Sequence, residues 1–343
     1  MFDNRWAPRR GFMCDGMAAR GCCVRTLAVT LAVTLALALA LAWSCAAHAQ
    51  SGRLDFPAAD APFTNAAVVH GTRATQAQCA GTANAVWAQP DGEAGECIRY
   101  WHAGLNSTAN SRALFFFSGD LLVGDTVFRG YEGQTPARVQ ATIDAVPARL
   151  GVPYVFVARP GTYGSSGEHK QRRRKAEALL MSAALDEIKK KHALGELVLA
   201  GLSGGGHVVA SLLGYRSDIV CAVPTSSVSS PKMRVQLRGW TIDATGYNDS
   251  YEPMDRLRKD AMHPALRVFV LGDPADTNVP WAVQTALADR LRAIGVHADV
   301  LTAEATDPDR HFVLQSALLV GAMCLRDSST EQIQQRAAQG LKG

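Results

Sequence analysis

Ser203 lies in Gly201-Leu202-Ser203-Gly204-Gly205, between the apolar run Leu197-Val198-Leu199-Ala200 and a segment in which Val208, Val209, Leu212 and Leu213 recur at helical spacing. That pattern predicts strand, sharp turn, helix. Gly201 and Gly205 provide clearance where strand and helix pass close together, and the turn lifts the serine hydroxyl above the sheet edge. A serine hydroxyl is a poor nucleophile until an imidazole accepts its proton. The imidazole in turn needs a carboxylate to fix its tautomer and to stabilise the imidazolium. Asp276, in Gly272-Asp273-Pro274-Ala275-Asp276-Thr277-Asn278-Val279-Pro280, and His311, in Asp307-Pro308-Asp309-Arg310-His311-Phe312, each follow a further apolar run. Three loops after three strands thus carry a nucleophile, an orienting acid and a base, in that chain order. The chemistry they could do is acyl transfer to water. The amide of Gly204, at the helix start, is a donor for the oxyanion that forms.

Each position has a rival. Asp273 is a second candidate for the acid. His207 stands one helical turn beyond Ser203, where packing is its expected role, and His263 and His297 fall at strand approaches on the opposite edge of the sheet.

The elements that must position these loops read as an alternation of strands and helices. Ala85–Ala88 and Cys97–His102 are predicted strands around the turn Gln89-Pro90-Asp91-Gly92, followed by a strand over Arg112–Phe117 and a helix over Thr135–Leu150, interrupted late by Pro147. A strand over Val152–Ala158 ends in Arg159-Pro160-Gly161-Thr162-Tyr163-Gly164-Ser165-Ser166-Gly167. No Gly-Lys-Ser/Thr follows it, so it is not a phosphate loop. Lys170–Lys191 is expected as an amphipathic helix whose opening Gln171-Arg172-Arg173-Arg174-Lys175 covers its solvated side. Strands over Asp218–Val223, Arg267–Leu271 and His297–Ala303 and helices over Trp281–Ile294 and up to Leu325 complete the pattern. Between Thr225 and Met262 the alternation lapses, and Trp240, Gly246, Tyr247, Asn248 and Tyr251 become candidates for substrate contact.

From about Val86 to Leu325 the chain resembles an exported α/β-hydrolase, on the Gly-x-Ser-x-Gly turn and the order Ser203, Asp276, His311. The resemblance implies a mostly parallel central sheet with helices on both faces and a small cap or loop excursion over 225–262. It also implies that Ser118-Gly119-Asp120 occupies the place of the usual His-Gly-x, which makes the Asp120 amide the second oxyanion donor, with Gly119 and Leu121 as substitutes. The loop after Ala275 and Tyr251-Glu252-Pro253 are similar to the prolyl oligopeptidase branch. Gly272 stands four residues before Asp276 where that branch has three, and the sequence shows no sign of that branch's propeller domain. The expected substrate is a carboxylic ester, with a short peptide as the alternative. A non-catalytic binding protein of the same fold is a third reading. No cofactor is required.

Thr26–Trp43 is almost wholly Leu, Ala, Val and Thr, follows five arginines, and precedes Ala47-His48-Ala49. These features predict a signal peptide over 1–49, with a retained membrane anchor as the alternative. Its removal takes away five arginines and two aspartates, so the formal charge falls from +4 to about +1 and nucleic acid loses its case as a partner. The mature protein is expected in the periplasm or outside the cell, with no remaining membrane span. A lead-in over 50–84, a hydrolase domain over 85–327 and a polar, frayed tail over 328–343 follow. Four cysteines remain, which in an exported chain favours disulfides. Cys79 with Cys97 and Cys221 with Cys324 is the preferred pairing of three, four reduced cysteines being the alternative. No cysteine or histidine spacing suggests a metal.

Overall fold

The computed structural model describes residues 52–105 and 111–342; the expected signal peptide and its cleavage site lie outside these. Nine strands form one sheet: β1 (Ala85–Ala88), β2 (Glu96–Ala103), β3 (Ser111–Phe117), β4 (Tyr154–Val157), β5 (Leu194–Leu202), β6 (Ile219–Thr225), β7 (Arg267–Gly272), β8 (Ala298–Glu304) and β9 (Leu341–Lys342). Their order in space is β9-β8-β7-β6-β5-β3-β4-β2-β1. β1 pairs antiparallel with β2 and β2 antiparallel with β4, while every other neighbour is parallel. This arrangement is the α/β-hydrolase fold.

Period-two alternation divides each central strand between two faces. Ala113, Phe115 and Phe117 of β3 and Leu197 and Leu199 of β5 pack on α2 (Lys175–His192), α3 (Gly204–Leu212) and α5 (Trp281–Ala293). Leu114, Phe116, Val198 and Ala200 face the other way, onto α1 (Pro136–Leu150), α6 (Leu314–Leu325) and α7 (Thr330–Ala338). α1 runs on through Pro147 and stops at Gly151, whose left-handed backbone lets its amide reach the Pro147 carbonyl. Because both faces are covered, the central strands carry near-continuous apolar runs.

Two expectations need correction. The residues after Asp327 do not form a frayed tail. Ser329 and Gln332 cap α7 reciprocally, Ile333 and Leu341 are buried, and β9 adds a parallel edge to β8. The polar composition of this stretch conceals one apolar residue per element, enough to dock it. Arg172 and Arg173 precede α2 instead of lying on its solvated side, and both are buried among carboxylates described below. The lead-in has structure of its own, with short helices Asn65–His70 and Gln76–Ala80 capped by Thr64 and Thr75.

Disulfides join Cys79 to Cys97 and Cys221 to Cys324. The first fastens the lead-in to β2. The second links β6 to α6 across the sheet. The excursion after β6 contains α4 (Pro231–Arg238) and short 3-10 turns at Pro253–Arg256 and Lys259–Ala261. No described helix is long and apolar enough to cross a membrane.

Candidate active site

Ser203 connects β5 to α3 with φ +56° and ψ −116°, a conformation that L-residues rarely adopt. The surrounding glycines explain how the chain tolerates it. A Cβ at Gly201 would overlap the Gly205 carbonyl, and a Cβ at Gly205 would overlap the carbonyl of Phe117, the last residue of β3. The Ser203 amide donates to Thr225 O at 2.8 Å, which fixes the turn to the end of β6.

The acid loop follows β7. Asp276 Oδ1 accepts the amides of Asn278 (2.7 Å) and Val279 (2.8 Å), while Oδ2 accepts Gln284 Nε2 (3.0 Å) and lies 2.7 Å from His311 Nδ1. The carboxylate is buried and fully directed. Acceptance by a carboxylate places the proton on Nδ1 and leaves Nε2 of His311 free to take a proton. Ser226 Oγ donates to the His311 carbonyl at 2.8 Å, and the Ser226 amide donates to Leu271 O, so the loops after β6, β7 and β8 hold one another. Among the described residues the Ser203 hydroxyl makes no hydrogen bond with His311; in many unliganded sites that bond closes only around substrate.

Asp273, the rival acid, does different work. Its Oδ1 accepts the Ala275 amide (2.8 Å), and its Oδ2 accepts the Ala305 amide (2.9 Å) and pairs with Arg310 Nε at 2.8 Å. Burial would raise its pKa, but those two amides and Arg310 hold it below the usual carboxylate range. It ties the acid loop to the histidine loop. The rival histidines are likewise engaged elsewhere. His207 is buried, its Nε2 donates to Tyr251 O (2.9 Å), and burial depresses its pKa to about 4. His263 lies 3.3 Å from Glu196 and His297 2.9 Å from Asp299, toward the starts of β5 and β8, the end opposite the loops.

The loop after β3 passes directly over Ser203. A Cβ on Gly119 would meet Ser203 Cβ at 3.3 Å. The Leu121 amide is already spent on His169 Nε2 at 3.0 Å, which removes it as a donor to substrate. The Asp120 side chain enters a cluster of cations. It pairs with Arg159 Nη1 (2.8 Å), Arg172 Nε (3.3 Å) and, still more closely, Arg173. Burial would raise the Asp120 pKa, but Arg173, Arg159 and Arg172 hold it well below the usual range. Arg159 also reaches Glu177 (2.8 Å), and Arg173 reaches Asp243 of the excursion (2.7 Å). A Cβ on Gly204 would overlap the Asp120 carboxylate, so the second glycine of the turn makes room for this cluster. Its amide, the first of α3, has no acceptor within the helix.

In the Arg159–Gly167 turn, Ser165 and Ser166 accept the amides of Arg99 (2.9 Å) and Cys97 (2.7 Å) and so serve β2. Tyr247 donates its hydroxyl to the Arg172 carbonyl, and Asn248 closes a turn onto Thr241 O at 2.6 Å. Both hold the excursion in place. Two contributors escape sequence reasoning. Gln284 lies eight residues beyond Asp276 on α5, and His169 lies 48 residues beyond Leu121; no local pattern marks either. Among the described residues no group of three His, Cys, Asp or Glu side chains is placed to hold a metal.

No protein-family model matches the sequence, and no curated protein matches it. Solved structures do. Est1E from Butyrivibrio proteoclasticus superposes with a TM-score of 0.46 at 14% identity, covering 72% of this chain and 99% of its own. The acylaminoacyl peptidase of Pyrococcus horikoshii gives 0.48 at 10% identity, over 76% of this chain and 42% of the peptidase. Prolyl oligopeptidase B from Galerina marginata gives 0.47 at 14%, over 71% and 36%. The chain spans less than half the length of either peptidase.

Proposed function

We propose that the protein is an exported serine hydrolase that cleaves carboxylic esters. The observation that carries this reading is the 2.7 Å contact between Asp276 Oδ2 and His311 Nδ1, together with a serine held at φ +56° on the turn after β5. Ser203 Oγ attacks the ester carbonyl carbon while its proton passes to His311 Nε2. Negative charge gathers on the carbonyl oxygen, and the amides of Gly204 and Asp120 receive it. The intermediate collapses, the alcohol leaves with the proton from His311, and the acyl group stays on Ser203. Water then attacks the acyl carbon and gives a proton to His311 Nε2; the bond from that carbon to Ser203 Oγ breaks, Oγ takes the proton back from His311, and the carboxylic acid leaves. Asp276 keeps Nδ1 protonated throughout and stabilises the imidazolium. The Asp120 carboxylate does not oppose the developing charge, because three guanidinium groups neutralise it.

A peptide bond is the second reading, favoured by the likeness of the acid loop to the prolyl oligopeptidase branch. Glu252 of the Tyr-Glu-Pro segment takes the Lys232 amide at 2.6 Å, which gives this carboxylate a structural role at the start of α4. Export is supported by the two disulfides, which persist in oxidising compartments. Steady-state turnover of a short-chain nitrophenyl ester beside aminoacyl and prolyl nitroanilides tests the reading. Ester turnover without anilide cleavage supports it. Efficient anilide cleavage moves the protein to the peptidases, and inactivity on all of them favours the non-catalytic alternative.

A further inference from the structure

Seven large apolar side chains are exposed among the described residues, and six of them fall in three segments: Val123 and Phe128 after β3, Leu237, Trp240 and Ile242 in the excursion, and Phe312 beside His311. Val123 (75% exposed) lies in the small hairpin that begins three residues after Gly119, the residue against Ser203, and Phe128 (56%) directly follows that hairpin. Phe312 follows His311, stands edge-on to its ring at 5.7 Å, and meets Phe128 at 6.1 Å. Trp240 and Ile242 belong to the excursion, and with Val123, Gly239, Thr241 and Ala244 they line an open groove of about 500 Å³. Arg172 fixes the two walls, because its Nη2 donates both to Leu122 O (3.1 Å) and to Ala244 O (2.8 Å). None of the six residues lining the groove is charged. Apolar surface gathered in this way marks a binding face.

We propose that this face docks a chain of apolar ester repeats, so that the enzyme works on an aliphatic polyester. The inference rests on the esterase reading of Ser203, and three features choose the occupant. The face is continuous with the catalytic loops on both sides, through Phe312 next to the base and the hairpin next to Gly119, so its occupant is what the site acts on. It is open and shallow, which suits an extended chain better than the enclosed pockets that bury a small ligand. Its six lining residues carry no charge and so offer no counter-ion within the groove, while the guanidinium groups of Arg234 and Arg238 lie over the Trp240 ring, 5.1 and 5.8 Å from its centroid. Chain segments flanking the scissile ester would lie in the groove and on the Phe128–Phe312 pair while one carbonyl reaches Ser203.

The test separates docking from chemistry. Adsorption of Ser203→Ala protein to a polycaprolactone film is read by quartz-crystal microbalance, in this background and with Val123→Ser and Ile242→Ser added. Hydrolysis of the film and of a soluble short-chain nitrophenyl ester is read with Ser203 intact, with and without the groove substitutions. The expected result is firm adsorption, reduced at least tenfold by the two substitutions, with film hydrolysis falling in parallel and soluble-ester turnover changed less than twofold. No adsorption, or an equal loss on film and soluble ester, overturns the proposal. Stronger binding to neutral phosphatidylcholine vesicles than to the film also overturns it, in favour of a lipid surface. Groove-dependent adsorption without turnover of any ester would support the docking face while overturning the esterase reading.

Discussion

At the scale of single residues, the chain contains two aspartates three positions apart, and their partners separate their roles. Asp276 touches His311, whereas Asp273 holds Arg310 and the Ala305 amide. Asp276→Asn is expected to lower kcat about 10⁴-fold near neutral pH, because an amide can favour the wrong imidazole tautomer, with little change in Tm. Asp273→Asn should lose less than about tenfold in kcat but about 2 kcal/mol of stability, since a buried network loses its charge-assisted bonds. Steady-state kinetics and urea denaturation of both variants check the assignment. The opposite pattern would make Asp273 the acid. The sequence offered Ser203, Asp276 and His311 because each sits in a loop with a recognisable spelling. It could not offer Gln284 or His169, whose roles depend on neighbours brought in from elsewhere in the chain.

At the scale of elements, the turn at Ser203 shows why some of the glycines around it cannot be replaced cheaply. Gly205→Ala should cost more than about 2 kcal/mol, since its Cβ would overlap backbone at Phe117 and Ser118 and not a side chain that could move aside. Differential scanning calorimetry reads this directly; a Tm equal to wild type would mean that β3 and α3 leave room for a methyl group between them. The strands were legible because those buried on both faces need unbroken apolar runs. The Arg172-Arg173 pair misled for a definable reason. A basic run before a helix reads as solvated unless its counter-charges are known, and Asp120, Glu177 and Asp243 come from three separate segments. Their cluster joins the loop beside Ser203 to the excursion, a link with no sequence signature.

At the scale of the whole molecule, two features set stability. The Cys221–Cys324 bond closes a separation of 103 residues, and replacing both cysteines by alanine should cost about 2–4 kcal/mol, measured as a lower denaturation midpoint under oxidising conditions. An unchanged midpoint would mean that this bond constrains the unfolded chain little. His207 supplies a pH dependence. Its folded pKa of about 4 lies below the unfolded value near 6.5, so between these values the unfolded chain binds more protons. This contribution is complete above about pH 6.5 and is lost as pH falls toward 4, up to about 3 kcal/mol in all. His207→Gln should flatten the Tm profile across that window. An equally steep profile in the variant would place the acid sensitivity elsewhere.

The central claim is that Ser203 is a nucleophile activated by His311. Its most direct measurement is intact-mass and peptide mapping after exposure to a fluorophosphonate, which labels only an activated serine. The account predicts a single adduct on the peptide carrying Ser203, lost in Ser203→Ala and formed far more slowly in His311→Ala. No adduct on wild-type protein, or an adduct on another residue, would contradict it.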